Sequence, residues 1–346
     1  MGVDMRHLIR VFILALVAAL GSNAFAATTL EQVKARGKLL CGVNPGLMGF
    51  ALKGADGSWT GFDVDYCKAI AAAVLGDADK VEFVAATTND RFDKLKSGAV
   101  DILARNTTWT MERETKTPLR FVGVSYHDGQ GFMVNKAIGV NSVFKLSQAA
   151  ICFLSGTTTE ANVADFFKAK DMTYTAVTYG TIDELVAAFQ KAGDVKCDAY
   201  SADQSQLYAV RLKMTKPDDY VILPEVISKE PLGPAVRQGD EQWFNIARWT
   251  LFALINAEEL ELRGAAVDEA LKTATQPDLR RLLGLDGTFG VDMGLDASWA
   301  ARAIAAVGNY GEIFERNLGK GSKLGIERGL NAAWNKGGVL YVPPIR

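Results

Sequence analysis

The sequence predicts an α/β protein, with two doubly wound α/β lobes joined by two hinge strands and followed by a helical C-terminal extension. Three observations carry this. Short apolar runs alternate with longer amphipathic ones from Leu39 onward, the alternation occurs twice, and two extended segments rich in Pro and Gly punctuate the chain. Strands that alternate with helices pair in parallel through right-handed crossovers. The 346 residues exceed a typical single domain, and 49% hydrophobic with 23% charged residues is the composition of an ordinary globular body.

In order, L-L-C-G-V (39–43) reads as a strand, residues 63–75 as a helix, V-E-F-V (81–84) as a strand, residues 89–96 as a helix, and D-I-L-A (101–104) as a strand. The second lobe repeats the scheme. A-I-C-F-L (150–154), T-Y-T-A-V (173–177) and C-D-A-Y-S (197–201) read as strands, with helices over 158–167, 183–192 and 204–211. The crossings fall on G-F-M-V-N-K (131–136) and S-K-E-P-L-G-P-A-V-R-Q-G-D (228–240), where Pro fixes φ and Gly relaxes it. A mostly helical tail begins at Trp243 and continues through residues 297–307 and 310–318; it is expected to rejoin the first lobe. The boundaries follow: a leader over 1–26, the first part of lobe 1 over 27–134, lobe 2 over 135–229, and the return to lobe 1 with the tail over 230–346.

The leader has a basic start, the apolar run 11–20 and an A-F-A site with cleavage expected after Ala26, so export is predicted. The apolar run is too short for an ordinary membrane span, and no later segment is long and apolar enough to serve. No cysteine stands near the cut, so a lipid-anchored start is not indicated. Thirty-eight Lys and Arg against 40 Asp and Glu leave a formal charge of −2 with no basic strip, which disfavours a nucleic-acid partner. The four cysteines allow three pairings in an oxidising compartment. Cys41–Cys67 and Cys152–Cys197 are expected, because each stays within one lobe and a bridge between moving lobes would jam a hinge.

Three stretches supply the groups that hold the backbone end of a free amino acid: D-I-L-A-R-N-T-T-W-T-M-E-R (101–113), G-T-T-T-E (156–160) and C-D-A-Y-S-A-D (197–203). A zwitterion taken from water needs donors for its carboxylate and an acceptor for its ammonium. Arg113 offers the bidentate fork and Asp203 the acceptor. Thr108 and Asn106 complete the carboxylate's shell, and Thr157 and Thr158 open a helix whose main-chain N–H groups suit an anion. Each motif has a structural alternative: Arg113 as a solvated arginine, Thr157 or Thr158 with Glu160 as a capping arrangement, and Asp203 as an N-cap. Their shared place at the carboxyl ends of inferred strands argues for one cleft. Phe50, Trp59 and Trp109 are candidates for the ligand's side chain. Metal and triad chemistry lack parts, since only His127 follows the leader and there is no C-x-x-C, H-E-x-x-H or G-x-S-x-G pattern. No metal or cofactor is expected.

Taken with G-F-D-V-D (61–65) and E-P-L-G-P-A-V-R (230–237), these motifs make the chain resemble the periplasmic amino-acid-binding proteins of ABC importers, a type II solute-binding fold. N-T-T-W-T, Y-H-D-G-Q-G-F-M-V and the long C-terminal extension resemble the general L-amino-acid-binding subgroup. The resemblance implies carboxylate binding by Arg113, Thr108 and the Thr157–Thr158 pair, and ammonium binding by Asp203. Asn106 stands where many relatives have a small hydroxyl residue, and Arg105 stands where they carry a small residue, within reach of an acidic side chain. It further implies a periplasmic, monomeric, non-enzymatic carrier that delivers L-amino acids, with broad specificity, to a membrane permease. The rival reading is a dehydratase-like enzyme on the same scaffold, with Glu160 or Asp198 as the general acid.

Overall fold

The computed structural model describes residues 27–191 and 197–346; the expected leader, 1–26, and the last residue of the helix expected over 183–192 lie outside them. The chain alternates as its pattern predicts, and builds two principal sheets. The first has the order Val81–Ala85, Leu39–Val43, Ile102–Leu103, Ala235–Arg237 and Leu119–Phe121. Its first three strands are parallel, and Ala235–Arg237 runs antiparallel between two neighbours. In the second sheet, Ala199–Asp203, Ala149–Leu154 and Tyr174–Tyr179 are parallel, and the ten-residue strand Tyr126–Asn135 pairs antiparallel with Ala199–Asp203. Tyr220–Ile222 and Ser228–Leu232 both pair with Tyr126–Asn135 as well.

Strand periodicity explains the layers. On Ala149–Leu154, Cys152 and Leu154 enter one core with Leu185 and Leu207, while Ile151 and Phe153 enter another with Val163 and Phe167. A side-chain period of two thus feeds both faces of one sheet, the requirement for helices on both sides. In the first sheet Ile102 and Leu103 likewise enter different clusters.

The chain leaves the first sheet after Phe121 and joins the second at Tyr126; it leaves at Leu232 and rejoins the first at Ala235. The first passage is upstream of the 131–136 segment, because residues 131–135 continue a long strand paired with Ala199–Asp203 and Tyr220–Ile222. The two passages run side by side, with Tyr126 opposite Leu232 and Gln130 opposite Ser228. They touch at Gly123 and Gly233: a Cβ on Gly233 would lie 2.1 Å from the Gly123 carbonyl oxygen.

The tail packs on the first sheet's helix Phe62–Leu75. Its small buried face, Ala69, Ala71, Ala72 and Ala73, admits the helix Trp299–Val307 closely. Arg302 donates to the carbonyls of Ala72 and Ala73 at 3.1 and 2.8 Å, placing a cation at that helix's C-terminus. Tyr310 donates to Ser125 O (2.8 Å) and Trp243 Nε1 to Asp101 O (2.9 Å), so the tail's polar atoms are satisfied where it docks. Cys41 is bonded to Cys67 and Cys152 to Cys197, with Cα separations of 6.3 and 5.7 Å. Each bond stays with one sheet and the elements packed on it. Among the described residues, no helix is long and apolar enough to cross a membrane.

Candidate functional site

Ile102–Leu103 ends at the residues that form one wall of a cleft between the sheets. Asn106 turns the chain with φ +28°, a conformation few L-residues adopt, and is held there by its N–H, which donates to Asp63 Oδ2 at 2.9 Å. Its side-chain oxygen accepts from Asn44 at 3.0 Å. The next residues lean on the return passage: Gly233 N donates to Thr107 O (3.0 Å) and Trp109 N to Pro231 O (2.8 Å). Arg113, on the short helix Met111–Lys116, folds back so that Nη1 donates to Thr108 O at 2.8 Å, and its guanidinium lies 5.7 Å from the Phe92 ring centre. Burial lowers the Arg113 pKa against the opposing pull of Glu230 and Asp203.

The second sheet supplies the facing wall. Gly156, at φ +71°, ends Ala149–Leu154 and starts the turn into the helix Thr159–Ala169; Thr157 Oγ1 donates to Leu154 O at 2.8 Å. No side chain caps that helix, so the capping alternative for Thr158 and Glu160 is not realised. Asp203 sits at the N-cap position of Gln204–Arg211, yet its carboxylate makes no capping bond. Burial raises the Asp203 carboxyl well above the ordinary carboxylate range, with Asp128 and Glu230 adding to the rise and Arg113 and Arg105 opposing it.

Glu230, on the strand Ser228–Leu232, joins the walls. One carboxylate oxygen accepts from Thr108 Oγ1 (2.7 Å) and Thr158 Oγ1 (3.0 Å); the other accepts from Asn162 (2.7 Å) and Ser228 (2.6 Å). A hydroxyl has one proton to give. The two threonines therefore spend theirs on Glu230, and their Oγ1 atoms act as spacers that hold the walls in register.

The cavity between the walls has a volume of about 30 Å³. Arg113, Thr108, Asn106, Thr157, Thr158, Asp203 and Arg105 all line it. The three aromatic candidates do not. Phe50 is 1% exposed and packs edge-on to Phe62 and Tyr126, Trp59 lies on Phe83, and Trp109 stacks on Phe121 while donating to Glu114. Ring area gains from a core: Phe50 is buried in one, and the half-buried Trp59 and Trp109 pack against core clusters. Glu160 and Asp198 are also absent from the lining; Glu160 is exposed and Asp198 Oδ2 accepts from Ala150 N at 2.9 Å.

Two groups escaped the sequence reading. Arg91, 2% exposed, lines the cavity from the start of the helix Arg91–Lys96, where R-F-D-K-L-K reads as an ordinary solvated face. Glu230 belongs to a crossing segment, and nothing local in E-P-L-G-P marks it as the meeting point of four donors. Among the described residues no group of His, Cys, Asp and Glu is arranged to hold a metal ion.

Known proteins share this architecture and its sequence. Residues 39–266 match the model of the bacterial extracellular solute-binding proteins, family 3. The chain is 54% identical over 334 residues to the general L-amino acid-binding periplasmic protein AapJ of Rhizobium johnstonii, covering 96% of this chain and 97% of that one. It is 52% identical over 330 residues to the glutamate/glutamine/aspartate/asparagine-binding protein BztA of Rhodobacter capsulatus, covering 95% and 97% respectively. A solved ABC transporter periplasmic binding protein from Brucella ovis, with glutathione bound, superposes with a TM-score of 0.90 at 54% identity, covering 93% of this chain and 100% of that one. With a two-sheet body, a polar cleft between the sheets and this extent of shared sequence, the chain belongs to the bacterial extracellular solute-binding proteins, family 3.

Proposed function

We propose that the protein is the periplasmic, solute-binding component of an ABC importer, which captures L-amino acids with broad specificity and delivers them to a membrane permease. The observation that carries the reading is one cavity lined by both Arg113 and Asp203. In it the guanidinium takes the ligand's carboxylate as a fork, main-chain N–H groups at the start of Thr159–Ala169 add donors, and Asp203 takes the ammonium. Asn106 sets the turn that aims Arg113, and Thr108 and Thr158 hold the walls together through Glu230. We place lobe 1 around the first sheet and tail and lobe 2 around the second. The paired passages between Phe121 and Tyr126 and between Leu232 and Ala235, which touch at Gly123 and Gly233, act as the hinge, so that closure is completed by the ligand bridging two half-sites. In this reading the carrier acts as a monomer without cofactor or catalytic step; what supports it is that the matched relatives are named as binding proteins.

A thermal-shift panel of the common L-amino acids with their D-enantiomers tests this, since ligand binding to the folded state raises the melting temperature with ln(1 + [L]/Kd). Several L-amino acids should raise it and their D-forms should not. Absence of a shift with every L-amino acid, or equal shifts with both enantiomers, removes the reading.

A further inference from the structure

Asp203 stands where a helix usually takes its cap. The first N–H groups of an α-helix have no acceptor within it, and a carboxylate at the N-cap position is a common remedy. At the start of Gln204–Arg211 the Asp203 backbone is set for this, with φ −54° and ψ 138°, yet its side chain makes no capping bond. The bond comes from another strand. Ser205 N donates to both carboxylate oxygens of Asp128, at 3.4 and 3.3 Å, and Ser205 Oγ donates to Oδ2 of the same group.

Asp128 is held in place for this role. It lies on Tyr126–Asn135, two residues from Gln130, the partner of Asp203 in the ladder, and Gly129 N donates to its Oδ1 at 2.8 Å. Ser205 is 2% exposed, so a lost acceptor there is costly. The same placement gathers like charges. Glu230, on Ser228–Leu232, stands opposite Asp128 in the ladder. Burial raises the Asp203 carboxyl, Asp128 and then Glu230 add to the rise, and Arg113 and Arg105 of the opposite wall oppose it. Arg91 lines that cavity too and feels the Asp203 charge. Burial raises Asp128 itself to about 6, with Glu230 adding to the rise and the bonds from Ser205 and Gly129 opposing it. The groove that Asp128 lines adds His127, Tyr208, Glu327 and Arg328, of which Arg328 is held by Glu258 at 2.9 Å.

We propose that Asp128 is a positioning residue for ligand capture: it caps Gln204–Arg211 in place of Asp203, and so keeps the Asp203 carboxylate turned to the cleft for the ligand's ammonium. This rests on the amino-acid reading above and gives a part in it to a residue that does not line the cavity. Without Asp128 the helix draws Asp203 to its own N–H groups, and a ligand must break that bond before it can bind.

Two variants separate cap from charge. Asp128→Asn keeps a capping side chain and loses the charge, whereas Asp128→Ala loses both. Carboxyl-carbon NMR of the ligand-free protein reads Asp203 directly. In Asp128→Asn it should titrate about one unit lower than in wild type, because a like charge is gone. In Asp128→Ala it should titrate lower still, because its carboxylate then accepts from the helix N–H groups. An Asp203 titration in Asp128→Ala no lower than in Asp128→Asn overturns the proposal. If Asp128→Ala does not melt cooperatively, Asp128→Asn decides alone, and an Asp203 titration unchanged from wild type overturns it. Calorimetry at pH 8.5, with the L-amino acid that most raises the wild-type melting temperature, reads the consequence. Folded Asp128→Ala should bind at least about fivefold more weakly than Asp128→Asn, the factor one cap supplies, and equal affinities overturn the proposal. If the wild type binds no L-amino acid, the transport reading falls, while the two titrations still decide whether Asp128 holds the cap.

Discussion

Arg113 and Asp203 stand in opposite walls of one cavity, and each is placed by features that a capping or surface role does not need. Arg113 bends back onto Thr108 O, and Asp203 occupies an N-cap position without capping. If the proposed function holds, removing either leaves one pole of the ligand buried without a partner, a loss of about 3–5 kcal/mol, or roughly two to three orders of magnitude in affinity. Arg113→Ala and Asp203→Ala are therefore expected to fold but to bind their best L-amino acid at least about a hundredfold more weakly in calorimetry. The pH dependence follows from the same carboxylate. Its pKa in the free protein is raised, and an ammonium ligand bound as proposed engages the ionised form, so binding is expected to release a proton wherever the free carboxyl is protonated. Affinity should weaken as pH falls through the raised range, and calorimetry in buffers of different ionisation enthalpy should register the proton. The ligand-free fold carries the opposite sign. Asp63, pushed up to about 7, and Asp128, up to about 6, join Asp203 in holding protons more tightly when folded than unfolded. Their contribution to stability is present below the unfolded value and lost as pH rises through the folded one, so the ligand-free melting temperature should fall between pH 5 and 7.5 and ligand should offset the fall.

Among the elements, the two passages between the sheets carry the strongest constraint. Gly233 is there because Gly123 is there: the backbones approach too closely for a Cβ. Gly233→Ala is expected to push the passages apart and cost about 1–3 kcal/mol in denaturant unfolding, with a change in ligand affinity that a surface Gly→Ala such as Gly57→Ala does not produce. Most elements were legible in the sequence, and for one reason: apolar periods of two and 3.6 are local properties. The helix 204–211 and the strand 39–43 appear where their patterns put them. The passage expected at 131–136 moved upstream because its position depends on which strands border Tyr126–Asn135, a matter of partners distant in sequence. The hairpin of Leu52–Lys53 and Trp59–Thr60 was likewise invisible, each strand being two residues long.

For the whole molecule, the tail is part of the body. The family match ends at residue 266, yet Trp299, Ile304, Tyr310 and Phe314 beyond it are each at most 3% exposed and belong to the first sheet's core. At about 1.5–3 kcal/mol for each large side chain buried, these four alone contribute as much as the usual 5–15 kcal/mol net stability of a fold. A chain ending at residue 266 is expected to show no cooperative melting transition by circular dichroism, while the full chain melts in one or two steps.

By itself the sequence determined the two-sheet α/β body and the three strand-end motifs, because each is written in spacing that a chain displays before it folds; the two cysteine pairs followed from the lobe division that this spacing implies. It also singled out Arg113 and Asp203, which line one cavity, because few other residue types suit the two ends of a zwitterion. Only the tertiary structure decided that Arg91 enters the cavity, that Glu230 gathers donors from both walls, and that the expected aromatic side-chain pocket is replaced by a polar one. Those outcomes depend on which surfaces meet when two lobes face each other, and burial of Phe50 in a nearby core or packing of Trp109 against one is a competition that no local pattern records.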